Sequence, residues 1–187
     1  GKTTTLYCVM KLLNHESSGG LGPCHLAVDK TGKCLLVANY GSGSIAALPI
    51  QANGALVEPA TVIQHQGSSV NPQRQAGPHA HFITPTPDNR FALACDLGMD
   101  KILIYRLDPA KASLVASNPS FAAVQPGAGP RHLAFHPSGR FVFLVNEMGS
   151  TLTAFAYDAK RGALKELHTV STLPENFAGK NTCAGIL

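Results

Sequence analysis

The sequence predicts an all-β chain, a β-propeller. Three observations carry this: a strand-turn-strand motif that recurs, four strand candidates in each recurrence, and no window with sustained helical periodicity. The motif begins at Gly22, Gly77 and Gly129, so the period is about 50 residues, the spacing of propellers, solenoids and arrays.

The first copy runs GPCHLAV from Gly22, turns through DKTGK and continues CLLVAN to Asn39. The second runs GPHAHFI from Gly77, turns through Pro87, Asp88 and Asn89, and continues FALACD to Asp96. The third, GPRHLAF from Gly129, turns at Pro137, Ser138 and Gly139 and continues FVFLVNE to Glu147. Proline, glycine, asparagine and aspartate between apolar runs are turn chemistry. Further strand candidates follow each hairpin at Ser44–Ile50, Lys101–Leu107 and Thr151–Tyr157. Fourth strands are expected to open at Asn53, Ala112 and Arg161. Four short strands joined by tight turns make one blade. Three blades are complete by Leu173, and Asn181–Leu187 reads as the start of another, giving about three to four blades over residues 1–187. Propellers close with roughly four to eight blades. The chain is therefore expected to be part of a longer propeller, truncated at both ends.

Composition narrows the partners. Lys and Arg total 15 and are scattered along the chain, with no basic run suited to nucleic acid. No apolar stretch approaches the roughly 20 residues of a membrane-spanning helix. The five cysteines include no CxxC pair, which argues against zinc and a disulfide framework and for a reducing, cytoplasmic setting. Gly1-Lys2-Thr3-Thr4 looks like the end of a phosphate-binding loop, but the upstream glycine and strand are absent.

In a propeller the first strand of each blade lines the central channel, so equivalent hairpin ends reach one rim. Folding each hairpin about its turn sets His25 opposite Asn39, His81 opposite Asp96, and Arg131 opposite Asn146 or Glu147. The rim is thus expected to collect His25, Asn39, His79, His81, Asp96, Arg131, His132, Asn146 and Glu147. His25, His132 and Asn39 also suit a structural hydrogen-bond network within the blade. Asp96 could orient His81 or cap the turn at Gly98. Arg131 and Glu147 differ from their counterparts in the first copy, Cys24 and either Asn39 or Tyr40, and so mark a site rather than the repeat's own architecture. His136 reads as surface, and Asp100, Asp158 and Glu166 as turn or solvent-facing charges. His79 and His81, two apart in an extended segment, should face opposite ways, which disfavours a shared metal.

These runs, with NPQRQAG before the second copy and LPENF at Leu173–Phe177, resemble the propeller-type 6-phosphogluconolactonase family, related to the carboxy-muconate cyclising enzymes. The resemblance extends from about Leu12 to Leu187; Gly1–Met10 match poorly, and Gly185 stands where the family has an acidic residue. It implies a seven-bladed propeller and metal-free, cofactor-free hydrolysis of 6-phosphoglucono-δ-lactone. It also implies a His, Arg and Glu site falling on His81, Arg131 and Glu147, with a further Arg on a later blade. His25, His79, Asp96, His132 and Asn146 are then the expected substrate contacts. Either His81 or Glu147 could serve as general base, with Arg131 on the oxyanion or phosphate. Two alternatives share the fold: a muconate-type cyclase and a non-catalytic interaction scaffold.

Overall fold

A computed structural model of the chain describes residues 18–186; Gly1-Lys2-Thr3-Thr4 and Cys8 lie outside the described residues. Among the described residues twelve strands form three separate four-stranded antiparallel sheets, each in simple chain order. The first contains β1 (Pro23–Val28), β2 (Cys34–Asn39), β3 (Ser44–Pro49) and β4 (Thr61–Gln64). The second contains β5 (Ala80–Pro85), β6 (Phe91–Asp96), β7 (Lys101–Asp108) and β8 (Ser113–Ala123). The third contains β9 (Pro130–Phe135), β10 (Phe141–Asn146), β11 (Thr151–Asp158) and β12 (Ala163–Ser171). The opening strands β1, β5 and β9 neighbour one another in sequence. Three blades are thus set side by side around a common inner edge.

The second strands explain the stacking. Every residue of β2 and β6 is buried, and the second sheet lies between the first and the third, packed on both faces. That is why they read as continuous apolar runs rather than as alternating patterns. Between the first two sheets lie Leu36, Ile45, Ile83, Tyr105 and Leu107; between the second and third lie Phe82, Leu93, Ile104, Leu144 and Phe155.

One element departs from expectation. The fourth strand of the first sheet starts at Thr61, not at Asn53. Asn53 instead occupies a tight turn closed by the single bridge Ile50–Leu56. The ladder resumes only after Pro59, which has no N–H to donate.

Asp100, expected to face solvent, is only 4% exposed. Its carboxylate accepts from the Ser69 hydroxyl (2.5 Å) and the Gly127 (2.6 Å) and Gly129 (2.7 Å) amides, tying the approach to the third blade to the second. The local sequence does not reveal this burial, because Ser69 and Gly127, which fold over Asp100, are distant in sequence. His136, Asp158 and Glu166 are exposed.

Candidate functional site on the channel rim

The site is built on three equivalent β-bulges. In the first blade Pro23 pairs with Asn39 and His25 with Ala38, leaving Cys24 as the extra residue. In the second, Ala80 pairs with Asp96 and Phe82 with Cys95, leaving His81. In the third, Pro130 pairs with Asn146 and His132 with Val145, leaving Arg131. Folding about the turn sets His25 opposite residue 39, His81 opposite 96 and Arg131 opposite 146 or 147, whereas the strand partners of 39, 96 and 146 are Pro23, Ala80 and Pro130. One inserted residue per strand is the physical reason that pairing fails. A bulge bends the strand and re-aims the extra side chain.

The re-aimed His81 and Arg131 meet Glu147, the residue immediately after β10. Arg131 Nε donates to Glu147 Oε2 at 2.8 Å, and His81 Nε2 lies 4.0 Å from the same oxygen. A second guanidinium, absent from the sequence expectations, completes the cluster: Arg74 Nη2 donates to Glu147 Oε1 at 2.7 Å. Glu147 and His81 side chains are each 13% exposed, Arg131 23% and Arg74 41%, so the cluster opens outward through Arg74. Tyr40, the first-blade counterpart of Glu147, stacks on His79 with ring centroids 4.5 Å apart and meets His81 edge-on at 5.4 Å.

Charge and burial set the protonation states. Burial alone would raise the Glu147 carboxyl, but the hydrogen bonds from Arg74 and Arg131 outweigh it and hold it below its ordinary value. Burial, reinforced by the Arg131 charge, lowers His81 and keeps its imidazole neutral near pH 7. Burial also lowers His25 to about 4, and burial with repulsion from His25 lowers His132 to about 3. These rings pack with Phe82 along the channel: His25 lies 4.0 Å from Phe82, and His132 5.3 Å from His81. Burial pushes the Cys24 thiol up to about 12, so the first blade's bulge carries no nucleophile.

Other expected rim residues do not reach the rim. Asp96 is fully buried and does not orient His81. Its Oδ2 lies 2.6 Å from His65 Nδ1, and its Oδ1 accepts from the His79 and Gly98 amides at 2.8 and 3.0 Å. The turn-capping alternative therefore holds. His65 in turn approaches the Tyr105 hydroxyl at 3.1 Å through Nε2. Asn146 is 1% exposed and donates to the Thr151 and Thr153 hydroxyls, as the fully buried Asn39 donates to Ser44. Position 39/96/146 ends the second strand and faces the sheet stack, so Asp96 and Asn146 cannot touch a substrate there. His79 stands before β5, its Nδ1 3.0 Å from the Tyr40 carbonyl. His79 precedes β5 and His81 is the bulged residue, and both rings meet Tyr40.

Arg74 was missed because pairing by hairpin symmetry considers only strands. It sits in the loop Asn71–Gln75, within the NPQRQAG run, held by Asn71 Oδ1, which accepts from the Gln73 and Arg74 amides at 3.0 and 3.1 Å. Its signal was a lone arginine one loop ahead of the histidine pair.

A blade array presenting a carboxylate between two guanidiniums, with a neutral imidazole alongside, defines a propeller with a polar channel-rim site. The sequence model described as "Lactonase, 7-bladed beta-propeller" matches residues 6–187, and the chain belongs to that family. The match begins ahead of Leu12, within the segment expected to diverge. A Bacillus subtilis relative named 6-phosphogluconolactonase is 35% identical over 177 residues, covering 95% of this chain and 49% of that protein. The periplasmic gluconolactonase of Pseudomonas aeruginosa superposes with a TM-score of 0.80 at 38% identity, over 86% of this chain and 45% of that one. A Lactobacillus plantarum protein gives a TM-score of 0.80 at 35% identity, over 87% and 46%. The chain thus spans about half the length of the relatives it matches. No helix among the described residues is long and apolar enough to cross a membrane.

Proposed function

We propose that the protein hydrolyses 6-phosphoglucono-δ-lactone to 6-phosphogluconate at the channel rim, with His81 as general base and Arg131 as oxyanion donor. The observation carrying this is the meeting of His81, Arg131 and Glu147 from two blades on a lactonase-family scaffold. Between the two candidate bases, the electrostatics favour His81. Glu147 is pinned by two arginines and held too acidic to accept a proton readily near neutrality, whereas His81 is already in its basic form.

In this mechanism His81 takes a proton from water as its oxygen bonds to the lactone carbonyl carbon. The tetrahedral oxyanion forms against Arg131, whose planar fork suits it. The ring C–O bond then breaks, and the departing ring oxygen takes the proton back from His81, giving the open hydroxy acid. Glu147 orients Arg131 and offsets the transient imidazolium charge. Among the described residues Cys24, Cys34, Cys95 and Cys183 are free thiols, which fits the reducing setting of the proposed pentose phosphate role.

The test is lactone hydrolysis, followed as acid release, by the protein that carries this chain and by its His81→Asn variant. A loss of about 10²-fold or more in kcat is expected from removing a general base. Near-normal turnover by His81→Asn would overturn the assignment. A muconate substrate assayed in parallel separates the cyclase reading, since cyclisation without lactone hydrolysis would replace the proposed activity.

A further inference from the structure

The Arg74–Glu147–Arg131 arrangement holds one carboxylate between two guanidiniums, and the two are placed differently. Arg131 is the inner cation, with its Nη1 also donating to the Ala184 carbonyl. Arg74 is the outer one, 41% exposed, and only its Nη2 is engaged, with Glu147 at 2.7 Å and the Tyr40 hydroxyl at 3.4 Å. Among the described residues its Nε and Nη1 find no acceptor. With His81 neutral, a single carboxylate leaves the mouth of the site with a surplus positive charge.

The loop beneath Arg74 is built to hold it. Gln75 is fully buried; its Nε2 donates to the Leu97 carbonyl at 2.8 Å and its Oε1 accepts from the Asn71 amide at 3.1 Å. The Gln75 amide closes the turn on the Asn71 carbonyl at 2.7 Å. A surface arginine needs no such foundation merely to be soluble; a fixed backbone cuts the ordering cost of binding. Beside it opens a cleft of about 670 Å³ lined by Asn71, Gln73, Arg74, Met148 and Thr182 among others. That volume is within the range of small-molecule sites.

We infer that Arg74 and the Asn71–Gln75 loop form an anion subsite that binds the phosphate of a phosphorylated sugar acid or lactone, and so set the preference for phosphorylated over unphosphorylated ligand. The inference rests on the lactonase reading for the orientation of the ligand, whose ring lies over His81 and Arg131 while its anionic arm points outward. Arg74 supplies a fork geometry and a charge that a phosphate oxygen pair matches.

The test measures affinity by calorimetry for 6-phosphogluconate and for gluconate, in the wild-type protein, Arg74→Gln and Arg74→Lys. Because Arg74 also touches Glu147, both ligands can weaken in the variants, and the ratio of the two affinities is the readout. The wild type should favour 6-phosphogluconate. Arg74→Gln should shrink that preference by about tenfold or more, the effect of losing a charge-assisted contact, with Arg74→Lys in between. A parallel loss on both ligands, or a wild type without preference, overturns the inference and leaves Arg74 as a prop for Glu147. An Arg74-dependent preference in a protein that does not turn over the lactone would uphold the subsite and instead remove the hydrolase reading.

Discussion

The imidazoles inside the channel should make the protein sensitive to mild acid. His25 has its pKa lowered to about 4 by burial and His132 to about 3 by burial and repulsion from His25, while unfolded histidines titrate near 6.5. A group whose folded pKa is depressed binds fewer protons folded than unfolded, so stability falls as pH drops below the unfolded value. It continues to fall until the folded pKa is reached. From pH 7.5 to 5 each ring should cost about 2 kcal/mol by this linkage. Their mutual repulsion is shared, so the pair costs somewhat less than double. The perturbation is His25→Phe, which places in the first blade the ring that Phe82 already supplies at the equivalent position of the second. It sacrifices the 3.4 Å contact between the Ile83 amide and His25 Nδ1, at a cost that does not vary with pH. It removes one titrating ring and relieves repulsion on His132. Urea unfolding of both proteins at pH 7.5 and 5 gives the four free energies needed. The variant should lose about 2 kcal/mol less than the wild type over that interval. If the two lose equally, His25 is not buried in neutral form and the account of the channel is wrong.

The proposed chemistry makes a matching kinetic expectation. Turnover through neutral His81 should fall only on an acid limb below pH 6.5, the ordinary value from which burial and Arg131 lower it. Glu147 raises His81, so Glu147→Gln should move that limb further toward acid in the pH profile of kcat/KM; a limb moving toward alkali would refute the coupling. Arg131→Lys keeps the charge but loses the planar fork, and kcat should drop by about 10²-fold, measured as initial rates at saturating lactone. Asp96→Ala should destabilise by about 3 kcal/mol or more, since it strands His65 and two amides in the interior, and chemical unfolding would register it. Gly98→Ala should likewise impair folding, because a Cβ there would collide with the Gly77 carbonyl oxygen.

The blade architecture was legible because turn chemistry and apolar runs recur, and both are local properties. Arg131 and Glu147 stand out because they depart from their counterparts in the first copy, whereas His81 is singled out only by the family resemblance. The register was not legible. A bulge inserts a residue without any composition signal at Cys24, His81 or Arg131, which share neither size nor charge, so the sequence alone points to a symmetric hairpin. The buried fates of Asp96 and Asn146 were hidden for a related reason. A polar residue ending a strand reads as a rim residue until its partners are known. Those partners, His65 for Asp96 and Thr153 for Asn146, come from other strands or loops.

The bulges also explain how one repeat yields a site at all. In each blade the residue after the second strand, Tyr40, Leu97 or Glu147, donates its amide to the loop ahead of the first strand, to Gly22, His79 and Gly129 respectively. That bond pins the hairpin end in the same geometry three times, whatever the side chains are. The bulged position is then free to vary without cost to the ladder, because its residue takes no cross-strand partner. Cys24 uses that freedom to bury a thiol against the Ala80 and His81 carbonyls and so buttress the next blade's bulge. His81 and Arg131 use it to reach the Glu147 carboxylate that the third blade supplies. The repeat fixes where a side chain emerges, and the chemistry follows from which blades depart from the pattern.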